Sequence, residues 1–272
     1  MKNNVTILKD VPYGEHERHR IDIYIPESPV KKSGFVLIIH GGGWQSGDKT
    51  VHSQDCEYWS GLGYMCGTMN YRYVSENINI FDELDDITSA LIAVKGKCAE
   101  HGFDVSELVL SGGSAGAQLS LMYAYTKAAE SPIKPAAAFV YCPPADCSAD
   151  DFLLGASGEF EGWKYDIMSK CCGVKITKEN FGSETSQAAL KRISPISYVS
   201  AECVTTAVCH GRKDELVPYN QALTLMNALK EKNISRALIT YENSGHALDR
   251  DEKTAAEAKK LMESSLKDYF SK

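Results

Sequence analysis

Residues 108–116 read LVLSGGSAG, and this stretch decides the fold. The apolar run at 108–110 is typical of a buried strand, and it leads into a G-x-S-x-G pattern centred on Ser114, followed by a helical pattern. A serine at the tip of such a tight turn is held in a strained backbone conformation, with its hydroxyl clear of the sheet. On its own, the motif also fits a glycine-rich loop that merely joins a strand to a helix.

Three further segments, each directly after a strand-like run, accompany this turn. Residues 35–39 read FVLII and lead into HGGGW at 40–44. Downstream, residues 209–214 read CHGRKD, and residues 244–246 read SGH. The chain order is therefore glycine loop, serine, acid, histidine. Each segment follows a strand, which is where an open α/β sheet places its active site.

Together these motifs resemble the α/β-hydrolase superfamily of esterases and lipases, close to its hormone-sensitive-lipase-like and small bacterial carboxylesterase branch. The resemblance runs from about Tyr13 to the C-terminal helix. It rests on HGGGW at 40–44, GDK at 47–49, the turn at 112–116, Asp214 in His-Gly-x-x-Asp, Gly245-His246, and DIYIP at 22–26. It implies the α/β-hydrolase fold and serine-hydrolase chemistry, and it is weak for the substrate.

The order of elements predicts an α/β protein with a mostly parallel, doubly wound sheet and helices on both faces, as one domain over residues 1–272. Two early extended segments, at about 4–11 and 17–25, predict an antiparallel pair at the sheet edge. Residues 145–192 break the strand-helix rhythm with scattered glycines and aromatics. We interpret them as a small cap insertion over the active site; a plain connection along the sheet edge is the alternative.

Acyl transfer needs a nucleophile, a base and a group that orients the base. Ser114 is the predicted nucleophile. Of the seven histidines, His246 alone lies in a loop after the final strand, so it is the predicted base, with a surface histidine as the alternative. Asp214 is preferred over its neighbour Glu215 as the orienting acid because it matches the family motif. A carboxylate at a helix entry is the other interpretation of Asp214.

The loop at 40–44 has three consecutive glycines, which let the chain turn sharply and aim backbone amides inward. The resemblance assigns the oxyanion hole to the amides of Gly42, Gly43 and Ala115. It leaves His40, Gly41 and Trp44 as support for the loop, with Asp48 bracing it. A phosphate-binding loop is disfavoured, because no Lys-Ser/Thr pair follows at P-loop spacing.

Composition narrows the class of protein. The 272 residues are 43% hydrophobic and carry a net charge of −7, which argues against nucleic-acid binding. No N-terminal signal pattern and no membrane-spanning run is present, so a cytoplasmic protein is expected. The nine scattered cysteines favour buried thiols in a reducing compartment.

No metal and no cofactor are expected. The pair His16 and His19 has no further ligand-type residue nearby in the sequence, which argues against a metal site. The expected partner is a small-molecule ester, without nucleic acid or membrane. The oligomeric state is left open, a homodimer included.

The predicted function is a serine hydrolase that cleaves short-chain carboxylic esters through an acyl-enzyme intermediate. HGGGW also satisfies the His-Gly-Gly-x-Trp pattern of kynurenine-formamidase-like enzymes, which cleave an N-formyl amide. A catalytically silent binding protein on the same scaffold is a third hypothesis, disfavoured because all three members of the Ser-Asp-His set are present.

Overall fold

A computed structural model describes residues 4–153 and 159–270. Its core is one eight-stranded sheet in the order β1-β2-β4-β3-β5-β6-β7-β8. The strands are β1 (Val5–Pro12), β2 (Arg20–Pro26), β3 (Gly34–Ile39), β4 (Cys66–Met69), β5 (Glu107–Gly113), β6 (Lys134–Tyr141), β7 (Thr205–Gly211) and β8 (Arg236–Tyr241). The helices are α1 (Ser53–Gly61), α2 (Ile80–Glu100), α3 (Ala115–Thr126), α4 (Asp150–Leu153), α5 (Glu159–Cys172), α6 (Glu184–Arg192), α7 (Asn220–Glu231) and α8 (Glu252–Phe270).

The predicted sheet topology is confirmed. Strand β1 pairs antiparallel with β2, and β2 pairs antiparallel with β4 at this end of the sheet. All pairs from β4 through β3 and β5 to β8 are parallel. Parallel strands bring their carboxyl ends to one edge, so the loops after β3, β5, β7 and β8 come together there.

Strand β3 shows why this sheet needs helices on both faces. All six of its residues are buried. Phe35, Leu37 and Ile39 pack into the cluster that contains α2 and α3. Val36 and Ile38 point the other way, into the cluster formed with α1 and α8. A continuous apolar strand is therefore covered on both sides, as is typical of parallel sheets.

Helix α3, which follows Ser114, is buried along most of its length. Every residue of α3 from Ala115 to Ala124 is buried. The helix lies between the sheet and neighbouring helices, and it contacts β5, β6 and α2. A helix that packs on several sides has no solvent-facing stripe, so its periodicity is a weak guide to its position.

The segment between β6 and β7, predicted as a cap, contains α4, α5 and α6. Gly155 and Gly158, two of the glycines that suggested this insertion, lie outside the described residues. Side chains from α4 to α6 pack into the same cluster as α2 and α3, so the segment covers that face of the sheet. No helix in the described parts of the chain is long and apolar enough to cross a membrane.

Candidate active site

Ser114 lies between β5 and α3 in a conformation that few residues adopt. Its backbone angles are φ 55° and ψ −120°, and its amide donates a hydrogen bond of 2.8 Å to the carbonyl oxygen of Tyr141 at the end of β6. Gly116 is needed two residues later, because a Cβ there would lie 2.1 Å from the carbonyl oxygen of Ile39. The sharp turn predicted from G-x-S-x-G is thus present, with Ser114 at its tip.

The glycine loop after β3 lies against this turn. A Cβ on Gly41 would lie 3.4 Å from the Cβ of Ser114. Gly42 and Gly43 have φ angles of 115° and 58°, which favour glycine. Among the described residues, neither of their amides donates a hydrogen bond. The amide of Ala115, in the first turn of α3, has no acceptor within the helix. Within the part of the chain that the structure describes, the amides of all three predicted oxyanion donors therefore have no acceptor.

His40 and Trp44 stabilise this loop through contacts with the rest of the protein. The Nδ1 of His40 lies 2.6 Å from the carbonyl oxygen of Gly41, and its ring stacks on Tyr71. Burial is the main reason that the pKa of His40 falls to about 4, so it is neutral near pH 7. The indole of Trp44 donates to Gln118 on α3, which ties the loop to the helix that follows Ser114.

The GDK motif braces the far end of the loop. Asp48 accepts a hydrogen bond from the side chain of Asn70. The ammonium of Lys49 bridges Asp22 on β2, at 2.7 Å, and Asp10 on β1, at 2.8 Å. Because these contacts join the loop to the first two strands, the motif and the early DIYIP sequence serve one structural purpose.

Asp214 and His246 are brought together from the loops after β7 and β8. The Nδ1 of His246 lies 2.7 Å from Oδ2 of Asp214. The amides of Leu216 and Val217 donate to the other carboxylate oxygen. Burial alone would raise the pKa of Asp214, but hydrogen bonds from His210 and His246 hold it well below its usual range.

This geometry distinguishes the two adjacent acids. The side chain of Asp214 is fully buried, whereas Glu215 is exposed. His246 is 26% exposed and donates through Nδ1, so its Nε2 is left as the atom that can accept a proton.

Cys142 and His210 border this pair and were missed by sequence reasoning. The thiol of Cys142 lies 3.7 Å from the carbonyl oxygen of His246. His210 Nε2 lies 2.8 Å from the carbonyl oxygen of Val217 and 3.4 Å from Asp214. The sequence signal that could have identified them is their position at the ends of β6 and β7. Ser114 and Asp214 were located from the same kind of position, after a strand of the sheet.

Within the described residues, Cys142, Asp214 and His246 form the one group of three metal-ligand side chains whose ligand atoms lie within 4.8 Å of one another. Two of these atoms already share the Asp214–His246 hydrogen bond. His16 and His19 do not converge on a common site: His19 Nε2 contacts Asp86, and His16 accepts from the amide of Arg18.

Backbone strain is concentrated around Ser114. Six described non-glycine residues have positive φ angles, and four of them line the cavities described next. These four are Trp44, Ser114, Cys142 and Leu248. Such conformations cost about 1–3 kcal/mol each and persist where surrounding structure enforces them, which is typical of functional sites.

Two cavities open on opposite sides of Ser114. The larger, of about 540 Å³, is lined by Ser114 and His246 together with residues of α1 and α8, including Trp59 and Met262. The smaller, of about 30 Å³, lies toward the segment between β6 and β7 and is lined by Ser114, Gly43, Phe152, Trp163, Lys164 and five others. Ser114 therefore lies at the boundary between a wide groove and a narrow recess.

The wide groove was not anticipated from the sequence. Phe152 and Trp163, two aromatics of the segment at 145–192, enclose the small recess beside Ser114. The larger space is built by helices on the opposite face of the sheet, which the sequence did not associate with the site. Long-range packing of α8 against α1 decides this, and no local motif encodes it.

Comparison with known proteins agrees with this architecture. The model of the BD-FAE family matches residues 21–229. The chain is 27% identical over 259 residues to the probable carboxylic ester hydrolase LipM of Mycobacterium tuberculosis, covering 88% of this chain and 56% of that protein. The chain thus spans about half the length of the curated relatives it matches.

Solved esterases share the fold at low sequence identity. Esterase B from Lactobacillus rhamnosis aligns with a TM-score of 0.74 and 19% identity, over 96% of this chain and 85% of that one. Esterase 2 from Thermogutta terrifontis aligns with a TM-score of 0.71 and 22% identity, over 98% and 92%. The family match covers most of the chain, and the fold is that of these esterases. The chain therefore belongs to the BD-FAE family and, as its motifs predicted, to the α/β-hydrolase superfamily of esterases and lipases.

Proposed function

We propose that this protein is a serine esterase that cleaves short-chain carboxylic esters through an acyl-enzyme, with Ser114, His246 and Asp214 as its triad. The observation that carries the proposal is the 2.7 Å contact between His246 and Asp214 beside a groove that Ser114 also lines. The names of relatives such as LipM support ester hydrolysis as the reaction class.

In this mechanism the hydroxyl of Ser114 attacks the ester carbonyl carbon while Nε2 of His246 takes its proton. The carbonyl oxygen becomes an oxyanion, which the amides of Gly42, Gly43 and Ala115 stabilise. Asp214 stays ionised and supports the positive charge that develops on the imidazole. This role fits its lowered pKa and its four hydrogen-bonding neighbours.

The tetrahedral intermediate then collapses, and His246 returns its proton to the departing alcohol. Ser114 is left as an ester with the acyl group. Water, deprotonated by His246, attacks this acyl-enzyme in the same way and releases the carboxylic acid, which regenerates the serine hydroxyl.

The two cavities divide the substrate between them in this proposal. The recess of about 30 Å³ beside Gly43 takes the acyl group, and the groove of about 540 Å³ takes the alcohol. A methylene that fits a pocket contributes about 0.8 kcal/mol, but one that is forced against a wall adds strain. A narrow acyl recess therefore favours acyl chains of about two to four carbons.

Replacing the nucleophile tests the reaction. Ser114→Ala is expected to lower kcat/KM for p-nitrophenyl acetate by about 10⁴-fold or more while the far-UV circular dichroism stays that of the parent. A fluorophosphonate probe should label the parent and not the variant. Ser106→Ala, which alters an exposed serine just before β5, is the matched control. Full activity or labelling in Ser114→Ala would refute the proposal.

A substrate panel tests the specificity. We expect kcat/KM to peak at p-nitrophenyl acetate or butyrate and to fall beyond about eight acyl carbons. N-formylkynurenine belongs in the same panel, because faster turnover of this amide than of acetate would favour the formamidase alternative. A maximum at laurate, or a rate jump above the solubility limit of a triglyceride, would contradict short-chain specificity.

A further inference from the structure

A lysine is buried in the recess beside the candidate nucleophile. Lys164, on α5, has 2% of its surface exposed. It lines the same small cavity as Ser114 and Gly43. Lysines are almost never fully buried without a partner, because removing an ammonium from water is costly. A buried lysine at this place therefore requires an explanation.

The contacts that satisfy this ammonium are few. Among the described residues, its hydrogen bond is to the carbonyl oxygen of Phe152, at 2.7 Å. The ammonium also lies 4.6 Å from the centre of the Phe152 ring. No carboxylate of the described residues forms an ion pair with it. An ammonium has three donors, and the structure engages one of them with protein oxygen.

Two acids act on this amine through their charge, but neither forms an ion pair with it. Burial lowers the pKa of Lys164 to about 8, and Asp214, Asp151 and the thiol of Cys147 act in the opposite direction. Asp151 on α4 is held by the side-chain amides of Asn220 and Gln221. Asp214 is held by His246 and two backbone amides. Both acids are therefore engaged elsewhere, and among the described residues two donors of Lys164 have no acceptor beside the recess that it lines.

We propose that Lys164 is a specificity residue that binds a carboxylate at the far end of the acyl group, so that the preferred substrates are half-esters of short dicarboxylic acids. The inference rests on the proposed esterase function and on placing the acyl group in the recess. A cavity of about 30 Å³ admits a group of a few atoms beyond the ester carbonyl. Malonyl and succinyl chains have that size, and their free carboxylate supplies the missing counter-charge.

The test compares half-esters with uncharged esters of the same shape. Monoethyl malonate is matched by ethyl 3-methylbutanoate, and monoethyl succinate by ethyl 4-methylpentanoate. Ethanol release gives kcat/KM for each. We expect the parent to prefer the half-ester by about 10- to 100-fold, the size of a hydrogen bond to a charged group. Lys164→Met should abolish this preference, measured as the ratio of the two kcat/KM values within the same variant.

The control is Lys170→Met, which removes a positive charge from the same helix. Lys170 pairs with Asp166 and does not line the recess. It should leave the preference unchanged. If Lys170→Met also lost the preference, it would come from the overall charge of the protein; if Lys164→Met retained it, Lys164 would not be its source. Either result would show that the proposal is wrong.

A pH series on the parent tests the proposed role of Lys164 without any variant. The half-ester carboxylate stays ionised above about pH 5. The triad acts on both substrates, so its titration cancels from the ratio of their kcat/KM values. As Lys164 loses its proton above about pH 8, the ratio should fall toward one. A ratio that is flat from pH 6.5 to 9.5, or near one throughout, would overturn the inference.

Failure of the inference is distinguishable from failure of the proposed function. The uncharged esters and p-nitrophenyl acetate could be hydrolysed without a half-ester preference. In that case the proposed esterase function is retained, and Lys164 serves only to stabilise α4 through its hydrogen bond to Phe152. If no ester is hydrolysed, the proposed function itself fails.

Discussion

Asp214 and Glu83 are two buried acids of this protein, and they differ in the hydrogen-bond partners that surround them. Asp214, in the loop after β7, is contacted by His246, His210 and two backbone amides. Glu83, on α2, is fully buried, and neither of its oxygens has a hydrogen-bond partner among the described residues. Both carboxyl groups are buried, yet the pKa of Asp214 is held low and that of Glu83 is raised well above its usual range.

The difference teaches that burial alone does not mark a functional acid. Partners that favour the charged form keep Asp214 ionised, and an ionised carboxylate is what an imidazole base requires. Burial and the negative charges of Asp82 and Asp86 raise the pKa of Glu83. The positive charges of two arginines oppose this rise. Its ionised form is therefore disfavoured, and no part of the proposed mechanism uses it.

The largest expected effect is at Asp214. Asp214→Asn should lower kcat/KM for p-nitrophenyl acetate by about 10²- to 10⁴-fold, because the amide neither accepts the Nδ1 proton in the same way nor balances the imidazolium. Glu215→Gln is the matched control. It alters the adjacent, exposed acid and should stay within about tenfold of the parent. Reversed losses would mean that Glu215 orients His246.

A smaller effect concerns His40, the buried base of the glycine loop. Its folded pKa of about 4 lies below the ordinary histidine value of 6.5. The unfolded chain therefore binds more protons between these values, and stability falls as the pH drops through that window. We expect His40 to account for a loss of about 2–3 kcal/mol in unfolding free energy between pH 7 and pH 4.

Urea unfolding of the parent and of His40→Asn measures this contribution. Asparagine retains a donor at the δ position for the carbonyl oxygen of Gly41, and it does not titrate. The advantage of the parent over the variant should shrink as the pH falls from 7 to 4. A constant difference across that range would show that His40 is not buried in its neutral form.

The smallest effect is at Glu83. A folded pKa above the ordinary value of 4.5 means that its cost is absent at low pH and grows as the pH rises. Glu83→Met, of similar volume, should raise the unfolding free energy at pH 7.5 by about 1–3 kcal/mol, and by less at pH 4.5. Glu100→Met, at an exposed position of the same helix, is the control and should change little. Destabilisation by Glu83→Met would reveal a partner that the side chain needs.

The sequence by itself determined the fold class, the order of the strands in the chain and the location of every residue proposed for the triad. These features are encoded locally. Apolar runs mark the strands, and Ser114, Asp214 and His246 lie in the turns and loops after β5, β7 and β8. Glu83 was also within reach of sequence reasoning, because its spacing from Ile80 and Ile87 places it on the buried face of α2.

The tertiary structure alone decided the shape of the site. The wide groove forms because α8, from the end of the chain, packs beside α1, from its first quarter. Lys164 lines the recess because the segment between β6 and β7 packs beside Ser114, although its own helix carries no motif. Such features depend on contacts between residues far apart in the chain, and local spacing contains no information on which distant surfaces meet.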